Sequence, residues 1–446
     1  MLSRLGLRNF RCLKEVDIKL TPLTFIVGPN GSGKSSILLA IQLLKQSIGT
    51  SISYNGEFAS LKGFKETVLN GNEDEWVSIK IGAKPSNLVR KTVLTYSNYL
   101  KTNGYNPLFR EVEYELSFRK DEVKQSFFLD DQVLLSVAFV LREGSWRGEV
   151  QSPRMFESAM VTDASRVLIW GAFHFDLQGV KAETGSDDGK SLMSICAVLN
   201  SYLLEVIRSV HYISTLRDVN AERVHDSFLP QWVGRRGEHT VGLLALIFGS
   251  REHEEMREKI RRWATAFGLK DLQAGWRGRT ELSADYKDPK TQAVLDVSSA
   301  GYGSAQILPI ITQLFWSTKN STICFEEPES SLHLELVTQL AHMLAEIVHD
   351  GKQAIATTHE QNLFFALKPL IDQKTQTKIN PEDVAVYELK KTCEGSTAER
   401  LEITSEGTIK GGISSFVEAE KNLVYQWMYT IPEAEKQEEK LNGQGQ

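Results

Sequence analysis

The sequence has few cysteines, no sustained heptad repeat and no long hydrophobic run. Its four cysteines lie far apart in 446 residues and form no CxxC pair. This excludes a disulfide scaffold and a paired-cysteine zinc site, and it indicates a reducing compartment. No run approaches ~18 apolar residues, and no hydrophobic signal core follows the N-terminus. We therefore expect a cytoplasmic protein with no membrane contact.

The charge balance excludes a protein that coats nucleic acid through overall basicity. Lys and Arg total 51 against 57 Asp and Glu, which gives a formal net charge of −6. A local basic groove is still compatible with that balance. Glycine and proline number 32 and 12, too few for a collagen-like or low-complexity chain. At ~100–200 residues per domain, the length predicts two or three globular domains.

The octapeptide GPNGSGKS at 28–35 carries the strongest chemical signal and fits the GxxxxGK[ST] pattern of a phosphate-binding loop. The apolar run 23–27 precedes it as a buried strand, and helical spacing begins at Ile37. Glycines let backbone N–H groups converge on phosphate oxygens at the positive end of that helix. The residues predicted to bind nucleotide here are Asn30, Gly31, Ser32, Gly33, Lys34, Ser35 and Ser36.

Two acids at the end of another apolar strand, 322–325, form a Walker B pattern. Glu326 would support Mg²⁺, although Asp is commoner at that position, and Glu327 would orient and polarise the attacking water. A solvated acidic strand end is the alternative. Lys34 would supply charge to the β- and γ-phosphates and the Ser35 hydroxyl would ligate Mg²⁺. The two motifs together predict ATP and Mg²⁺ as the cofactors.

Two weaker signals accompany these motifs. His359 ends a strand about 30 residues after the Walker B acids, where an imidazole would lie near the γ-phosphate. A small-residue turn at Ser299, Gly301 and Gly303 opens a helix predicted over 307–314, and such a helix N-terminus can bind an anion. A lone surface histidine and an ordinary glycine turn are the alternatives.

The order of these motifs resembles the ABC-class ATPases of the RecF/SMC/OLD branch, including small AAA_15/AAA_21-type bacterial proteins. The opening LRNFR at 7–11 and the phrase YGSAQILP at 302–309 are similar to that branch, as is YISTLR at 212–217. The stretch 55–65 resembles the region of a Q-loop but has no glutamine at the expected position. The resemblance implies an α/β fold: an ABC-type P-loop ATPase head with a mixed sheet, split by a long α+β insertion.

The motifs and the resemblance together divide the chain into four parts. Residues 1–85 are the N-terminal part of the head, and 86–290 are an insertion of antiparallel strands followed by helices. Residues 291–412 complete the head with the signature, Walker B and switch histidine. Residues 413–446 form an acidic tail.

The resemblance also implies how the site works, because in that branch nucleotide lies between two head domains. A homodimer or larger homo-oligomer is therefore expected. Glu327 would be the catalytic carboxylate, Glu326 would support Mg²⁺ and His359 would sense the γ-phosphate. Arg11 is a further candidate for the surroundings of the nucleotide. The residues expected to contact the partner's nucleotide are Ser299, Gly301 and Gly303.

Three functional classes compete. A transporter ATPase subunit would be about half this length, and a compact RecF-like ATPase of DNA repair or recombination is the main alternative. We favour the sensor or regulatory ATPase subunit of a bacterial anti-phage defence complex, because the chain resembles the ATPase subunits of Septu-type and next of PARIS-type systems. Only 87 residues follow His359, too few for a Toprim nuclease domain. We therefore expect no intrinsic nuclease activity in this chain. We expect instead a separate effector protein, encoded nearby, that is a nuclease.

A basic cluster leaves DNA contact open. Trp263, Phe267 and Trp276 interleave with its charges, as in grooves that bind nucleic acid. The alternative, which we favour, is a solvated helix face whose aromatic residues belong to the core. The basic residues are Arg257, Lys259, Arg261, Arg262, Lys270, Arg277 and Arg279.

Overall fold

The computed structural model describes residues 1–48, 52–142, 145–152, 156–161, 187–219, 222–223, 231–278, 281–371, 379–417, 421 and 424–425. The strands in these ranges are β1 Leu2–Phe10, β2 Leu13–Lys19, β3 Leu23–Val27, β4 Val77–Ala83, β5 Val112–Arg119, β6 Glu122–Leu129, β7 Gln132–Arg142, β8 Ser145–Ser152, β9 Phe156–Val161, β10 Val210–Ile213, β11 Glu222–Arg223, β12 Lys270–Arg277, β13 Glu281–Lys287, β14 Val294–Asp296, β15 Thr322–Glu326, β16 Gln353–Thr357, β17 Val384–Thr392 and β18 Gly395–Leu401. The helices are α1 Lys34–Gln46, α2 Asn87–Leu94, α3 Ser97–Thr102, α4 Asp187–Arg208, α5 Thr240–Gly249, α6 Glu254–Ala266, α7 Tyr302–Trp316, α8 Leu334–His349 and α9 Gln361–Ile371.

One mixed sheet organises the chain, in the order β10-β15-β16-β3-β17-β18-β2-β1-β4-β5-β6-β7-β8-β9. The first five of these strands run parallel. From β2 outward, each neighbouring pair is antiparallel. The predicted α/β class with a mixed sheet is therefore confirmed.

The parallel strands bring the predicted motifs to one edge of the sheet. β3, β15, β16 and β10 lead directly into the P-loop, the Walker B acids, the Thr-Thr-His segment and the 214–217 segment, respectively. Because the carboxyl ends of parallel strands lie at the same edge, segments distant in sequence meet there. The topology thus assembles one site from four separate motifs.

Side-chain alternation along the central strands fixes both faces of the sheet. Phe25 of β3 belongs to the hydrophobic core that includes residues of α5 to α9, whereas Ile26 belongs to the core formed with α1 and α4. Successive side chains of a strand point to opposite faces, so a fully apolar strand requires cover on both sides. The five residues of β3 are all buried, as the sequence predicted.

The region 86–290, predicted to be an insertion, is not confined to one side of the molecule. Strands β5 to β9 extend the main sheet beyond β4. The strand β10, from the same region, pairs with the Walker B strand β15. Strands β11 to β14 form a second, smaller sheet. The four-part domain division stays a prediction, and the acidic tail lies largely outside the described residues.

Helix α4 is long and apolar enough to cross a membrane by length and composition, and half of its most apolar window is buried inside the protein. Its buried side chains include Leu192, Leu199 and Leu203, which pack into the core shared with α1. This packing accounts for its apolar face.

The signature region differs from the sequence prediction. Helix α7 begins at Tyr302, five residues before the predicted start at Ile307, and ends at Trp316. Gly301 is its N-cap residue, so Gly303 lies in the first helical turn and not in the turn that precedes it. Gly303 allows this turn to approach a neighbouring loop closely, because a Cβ there would lie 2.4 Å from the Ser331 carbonyl oxygen.

Candidate nucleotide-binding site

The P-loop between β3 and α1 requires glycine at its constrained positions. Gly33 has a φ of 100°, and a Cβ there would lie 2.6 Å from Leu13 Cδ2 and 2.7 Å from Cys12 Sγ. Gly28 has a φ of 143°, and a Cβ there would lie 2.8 Å from the Leu389 carbonyl oxygen. Both the left-handed backbone and the lack of space exclude a side chain.

Lys34 lies folded against this loop. Its Nζ donates hydrogen bonds to the carbonyl oxygens of Gly28 and Pro29, each at 2.9 Å, and the residue is only 7% exposed. Burial lowers the pKa of the Lys34 ammonium to about 8, against the opposing effect of the Glu327 carboxylate. A phosphate anion would restore the stabilisation that the ammonium has lost with its hydration shell.

The loop fits a phosphate group. The buried Ser32 hydroxyl has no hydrogen-bond partner among the described residues, which is unusual for a buried polar atom and leaves it able to bond a ligand at this loop. Asn30, Gly31 and Ser35 line the adjoining cleft, and Ser36 lies at its base beside Cys12. Six of the seven predicted loop residues therefore line this cleft, and Ser32 is buried outside its lining.

The cleft has a volume of about 680 Å³ and a second wall that the motifs did not predict. Lys65 and Asn70 line this wall, together with Arg11. The turn that carries Arg11 is held by a 2.6 Å hydrogen bond from its N–H to the Thr67 carbonyl oxygen. Arg11 thus lies where the sequence suggested, and Lys65 ends the stretch 55–65 that resembles the region of a Q-loop.

Glu327 and His359 face each other across the same cleft. His359 Nε2 lies 3.5 Å from Glu327 Oε1. Burial, and then the Lys34 charge, lower the pKa of His359, so its imidazole is neutral at pH 7. Glu327 has a φ of 44°, an uncommon value for a residue with a side chain. Its N–H donates to the Thr357 carbonyl oxygen at 3.0 Å, which ties the Walker B end to the end of β16.

Glu326 is directed elsewhere. It is not among the described residues that line the cleft. Its Oε2 lies 3.5 Å from Thr215 Oγ1. Burial raises the pKa of the Tyr212 hydroxyl, and the Glu326 carboxylate raises it further. Within the described ranges, no group of three or more His, Cys, Asp or Glu could hold a metal ion by itself. The roles predicted for Ser35 and Glu326 toward Mg²⁺ stay predictions.

Glu329 is a site residue to which the sequence assigned no role. It is 8% exposed, its Oε1 accepts hydrogen bonds from Thr358 Oγ1 at 2.6 Å and from the His359 N–H at 3.3 Å, and its Oε2 has no partner. Burial raises the pKa of this carboxyl group to about 7. The position of Glu329 in the string EEPE was its only signal, and its link to the switch segment could come only from the fold.

The signature residues do not line the P-loop cleft of their own chain. Ser299 and Gly301 are exposed, and a Cβ at Gly301 would meet nothing within 4 Å. Gly303 differs, because a Cβ there would lie 2.4 Å from the Ser331 carbonyl oxygen. The structure therefore separates the predicted site residues into those that line the cleft and those at the exposed N-terminus of α7.

Most of the predicted basic cluster is paired within the chain. Arg262 contacts Glu346 at 2.5 Å, Arg261 contacts Glu258 at 3.0 Å, and Arg277 contacts Asp285 at 2.7 Å. Trp263 and Phe267 are buried in the core, whereas Trp276 is exposed. Arg279 lies outside the described residues. These pairings favour a solvated face over an open anionic groove, and DNA contact stays an untested prediction.

Comparison with known families gives one match that covers more than half of the chain. The AAA_15 model, described as an AAA ATPase domain, matches residues 1–136 and 251–363. The two matched segments contain the P-loop and the Walker B and switch residues, respectively.

Similarity to individual proteins is more local. The chain is 54% identical to the OLD nuclease of Thermus scotoductus over 52 residues, which is 12% of this chain and 10% of that protein. It is 36% identical to the DNA replication and repair protein RecF of Aliivibrio fischeri over 99 residues, 19% of this chain and 28% of RecF. The chain therefore matches well under a third of the length of either protein.

Among solved structures, an Smc head bound to the C-terminal winged-helix domain of ScpA is similar, with 12% identity and a TM-score of 0.46. The match covers 90% of this chain and 97% of that one. The SMC head domain from Thermotoga maritima is similar, with 12% identity and a TM-score of 0.41, over 90% of this chain and 99% of that one. At these TM-scores the likeness is distant and adds nothing to the family match.

Proposed function

This chain belongs to the AAA_15 family of AAA ATPase domains, and from that premise we propose that it binds ATP with Mg²⁺ and hydrolyses it as an ABC-class ATPase. One observation carries the proposal. Lys34, Glu327 and His359, from three distant parts of the sequence, line one cleft at the carboxyl edge of the parallel strands. This is the set that phosphate binding and water activation require.

Each side chain has a defined part in this proposal. Lys34 and the N–H groups of the loop bind the phosphates at the positive end of α1. Ser35 is the hydroxyl on the cleft that can hold Mg²⁺, which would neutralise phosphate charge; Glu326 would have to leave Thr215 to join it. Glu327 accepts a proton from the attacking water, and neutral His359 positions that carboxylate relative to the γ-phosphate.

The test is ATP turnover by the purified chain and its Glu327→Gln variant. The amide keeps the shape of the carboxylate but cannot take a proton, so kcat should fall at least ~100-fold while ATP affinity stays within about twofold. Glu335→Gln, which alters an exposed carboxylate on α8, is the matched control and should turn over ATP like the wild type. Equal hydrolysis by wild type and Glu327→Gln would reject the assignment.

We further propose that two chains share each nucleotide. The support is the exposed N-terminus of α7, where Ser299 and Gly301 are small, exposed residues outside their own cleft and the N-cap residue Gly301 makes no side-chain cap. Such a terminus is suited to the phosphates of a nucleotide bound by a second copy. A closed homodimer, or a larger closed ring of such pairs, follows from this arrangement.

At the cellular level, we propose that the chain is the regulatory ATPase of an anti-phage defence complex and controls a separate effector, a nuclease. The support is the motif order that resembles such subunits. Co-expression with the neighbouring gene product should yield a stable complex with a new activity, whereas the purified chain with ATP and Mg²⁺ or Mn²⁺ leaves DNA and RNA intact. Cleavage by the isolated chain that disappears on a point mutation in it would contradict this. A partnerless chain that binds DNA ends or gaps would favour the RecF-like alternative.

A further inference from the structure

We propose that Arg217 and Gln306 form a buried polar link between the signature helix α7 and the Walker B carboxylates, and that this link makes the two ATP sites of a dimer act cooperatively. Both are positioning residues, and neither lines the P-loop cleft. The inference rests on the proposed function, because it concerns how one ATPase site senses the other.

Arg217 lies four residues after β10 and is 4% exposed. Its Nη2 donates to the carbonyl oxygens of Glu326 and Glu327, at 2.7 and 2.8 Å, and its Nε donates to the Ser214 carbonyl oxygen at 3.0 Å. The guanidinium therefore bonds to two successive backbone carbonyl groups, those of Glu326 and Glu327. A buried charge with this many acceptors is fixed in place, because removing any of them costs free energy.

The opposite side of Arg217 is bound to α7. Its backbone N–H donates to Gln306 Oε1 at 3.0 Å, and Gln306 Nε2 donates back to the Arg217 carbonyl oxygen. Arg217 Nη1 also lies 3.4 Å from the Gln306 carbonyl oxygen. Gln306 is 5% exposed, so solvent does not compete for these bonds. One residue thus joins the second turn of α7 to the Walker B end.

A second contact connects the same two elements. Gly303, in the first turn of α7, packs so closely on the loop after Glu327 that an added Cβ would lie 2.4 Å from the Ser331 carbonyl oxygen. Ser331 itself has a φ of 67°, so this loop cannot relax easily. Two independent contacts therefore transmit any displacement of the α7 N-terminus to the backbone that carries Glu327.

The functional consequence follows from which nucleotide each element serves. Glu327 acts on the nucleotide in its own chain, whereas the exposed start of α7 faces the nucleotide of a second copy. Because Arg217 holds both, binding at one site of a dimer biases the Glu327 backbone, at a φ of 44°, in the other. A coupling of this kind is a free energy shared between two binding events, and it gives a Hill coefficient between 1 and the number of sites.

Arginine is needed at this position because its planar fork reaches several acceptors in fixed directions, whereas a lysine ammonium is a single point charge on a flexible stem. We would therefore test Arg217→Lys, which keeps the charge, and Gln306→Leu, which removes the amide from a buried position. The matched control is Thr312→Val, a buried change in α7 whose hydroxyl bonds only to the Leu308 carbonyl oxygen of the same helix.

For both variants we expect kcat to fall at least ~10-fold, ATP affinity to stay within about twofold, and the Hill coefficient to fall from about 1.5 or more to near 1. The double variant should be no worse than the worse single variant, because each removes the same link. Thr312→Val should keep the wild-type Hill coefficient. A structural defect alone would lower the active fraction without changing the Hill coefficient.

Wild-type turnover with a Hill coefficient of 1 would overturn the inference, as would folded variants that match Thr312→Val, or single effects that multiply in the double variant. If Arg217→Lys does not fold, Gly303→Ala decides, because it perturbs the other contact and should also remove cooperativity. Absence of ATP turnover in the wild type would instead contradict the proposed function itself, so the two failures are distinguishable.

Discussion

The P-loop cleft and the signature turn differ in how completely one chain builds them. In the cleft, Lys34 is buried and bonded to its own loop, and Glu327 faces His359 at 3.5 Å. At the signature turn, Ser299 and Gly301 are exposed, and a Cβ at Gly301 would meet nothing. One chain therefore builds the cleft by itself, whereas the signature turn is exposed and, under the proposed function, would meet the nucleotide of a second chain.

Because of this contrast, we expect the two regions to contribute differently to the free energy of ATP binding. Groups that are already positioned in a pocket bind phosphate strongly, because their rearrangement costs little free energy and water competes little for them. An exposed helix N-terminus contributes little until a second surface excludes water from it. We therefore expect variants in the cleft to change ATP binding, and variants at the signature turn to change turnover.

The largest expected effect is on binding. Lys34→Ala removes a buried charge that the phosphates require, so ATP affinity should fall at least ~100-fold, measured by titration calorimetry. Lys91→Ala removes an exposed lysine of α2 and should leave the affinity unchanged. Undiminished ATP binding by a folded Lys34→Ala chain would contradict the assignment of the cleft as the ATP site.

A smaller effect is expected at the signature turn. Gly301→Arg places a long side chain where the second nucleotide should approach, so kcat should fall at least ~10-fold while each chain still binds ATP. Gly249→Arg is the matched control, because a Cβ there also meets nothing within 4 Å and the residue lies at the end of α5. Wild-type turnover by Gly301→Arg would mean that the turn plays no part in catalysis.

The last effect concerns stability and not ATP binding or turnover. Burial raises the pKa of Glu329 to about 7 from 4.5, so the folded chain binds more protons than the unfolded chain between these pH values. The free energy of unfolding therefore falls as pH rises from about 4.5 to 7, by at most about 3 kcal/mol from this group. Glu329→Gln should be more stable than wild type at pH 8 but not at pH 4.

Denaturant unfolding at the two pH values checks this prediction. The exposed-carboxylate variant Glu335→Gln should show the same pH dependence as the wild type. A stability difference between Glu329→Gln and wild type that does not change with pH would mean that folding does not raise the pKa of the Glu329 carboxyl group.

The sequence predicted the parts of the site that depend on local pattern. The strand 23–27 is predicted correctly, because a buried strand and a glycine loop have strong short-range signals. A helix follows the loop as expected, but it begins at Lys34, three residues before the expected start at Ile37. The start of α7 was placed five residues late, since Gly301 and Gly303 resemble loop residues until the contact with Ser331 is known.

Residues whose role comes from long-range contact could not be predicted in this way. Arg217 and Glu329 lie in strings that the sequence singled out, yet nothing local indicates that one holds the Walker B carbonyl oxygens or that the other bonds to Thr358. Lys65 lines the cleft only because its loop folds over the P-loop. The strand order decides which residues meet at the edge of the sheet, and the residues next to them in the sequence do not indicate it.

Complementation between two inactive variants tests the shared site most directly. Equal amounts of Lys34→Ala and Gly301→Arg chains are mixed under subunit exchange, and ATP turnover is compared with each alone. A mixed dimer would contain one intact P-loop facing one intact signature, so turnover should exceed the sum of the two variants and reach at most about a quarter of the wild-type rate for random pairing. Turnover no greater than the sum of the two variants, with mixed dimers verified by native mass spectrometry, would contradict a site built from two chains.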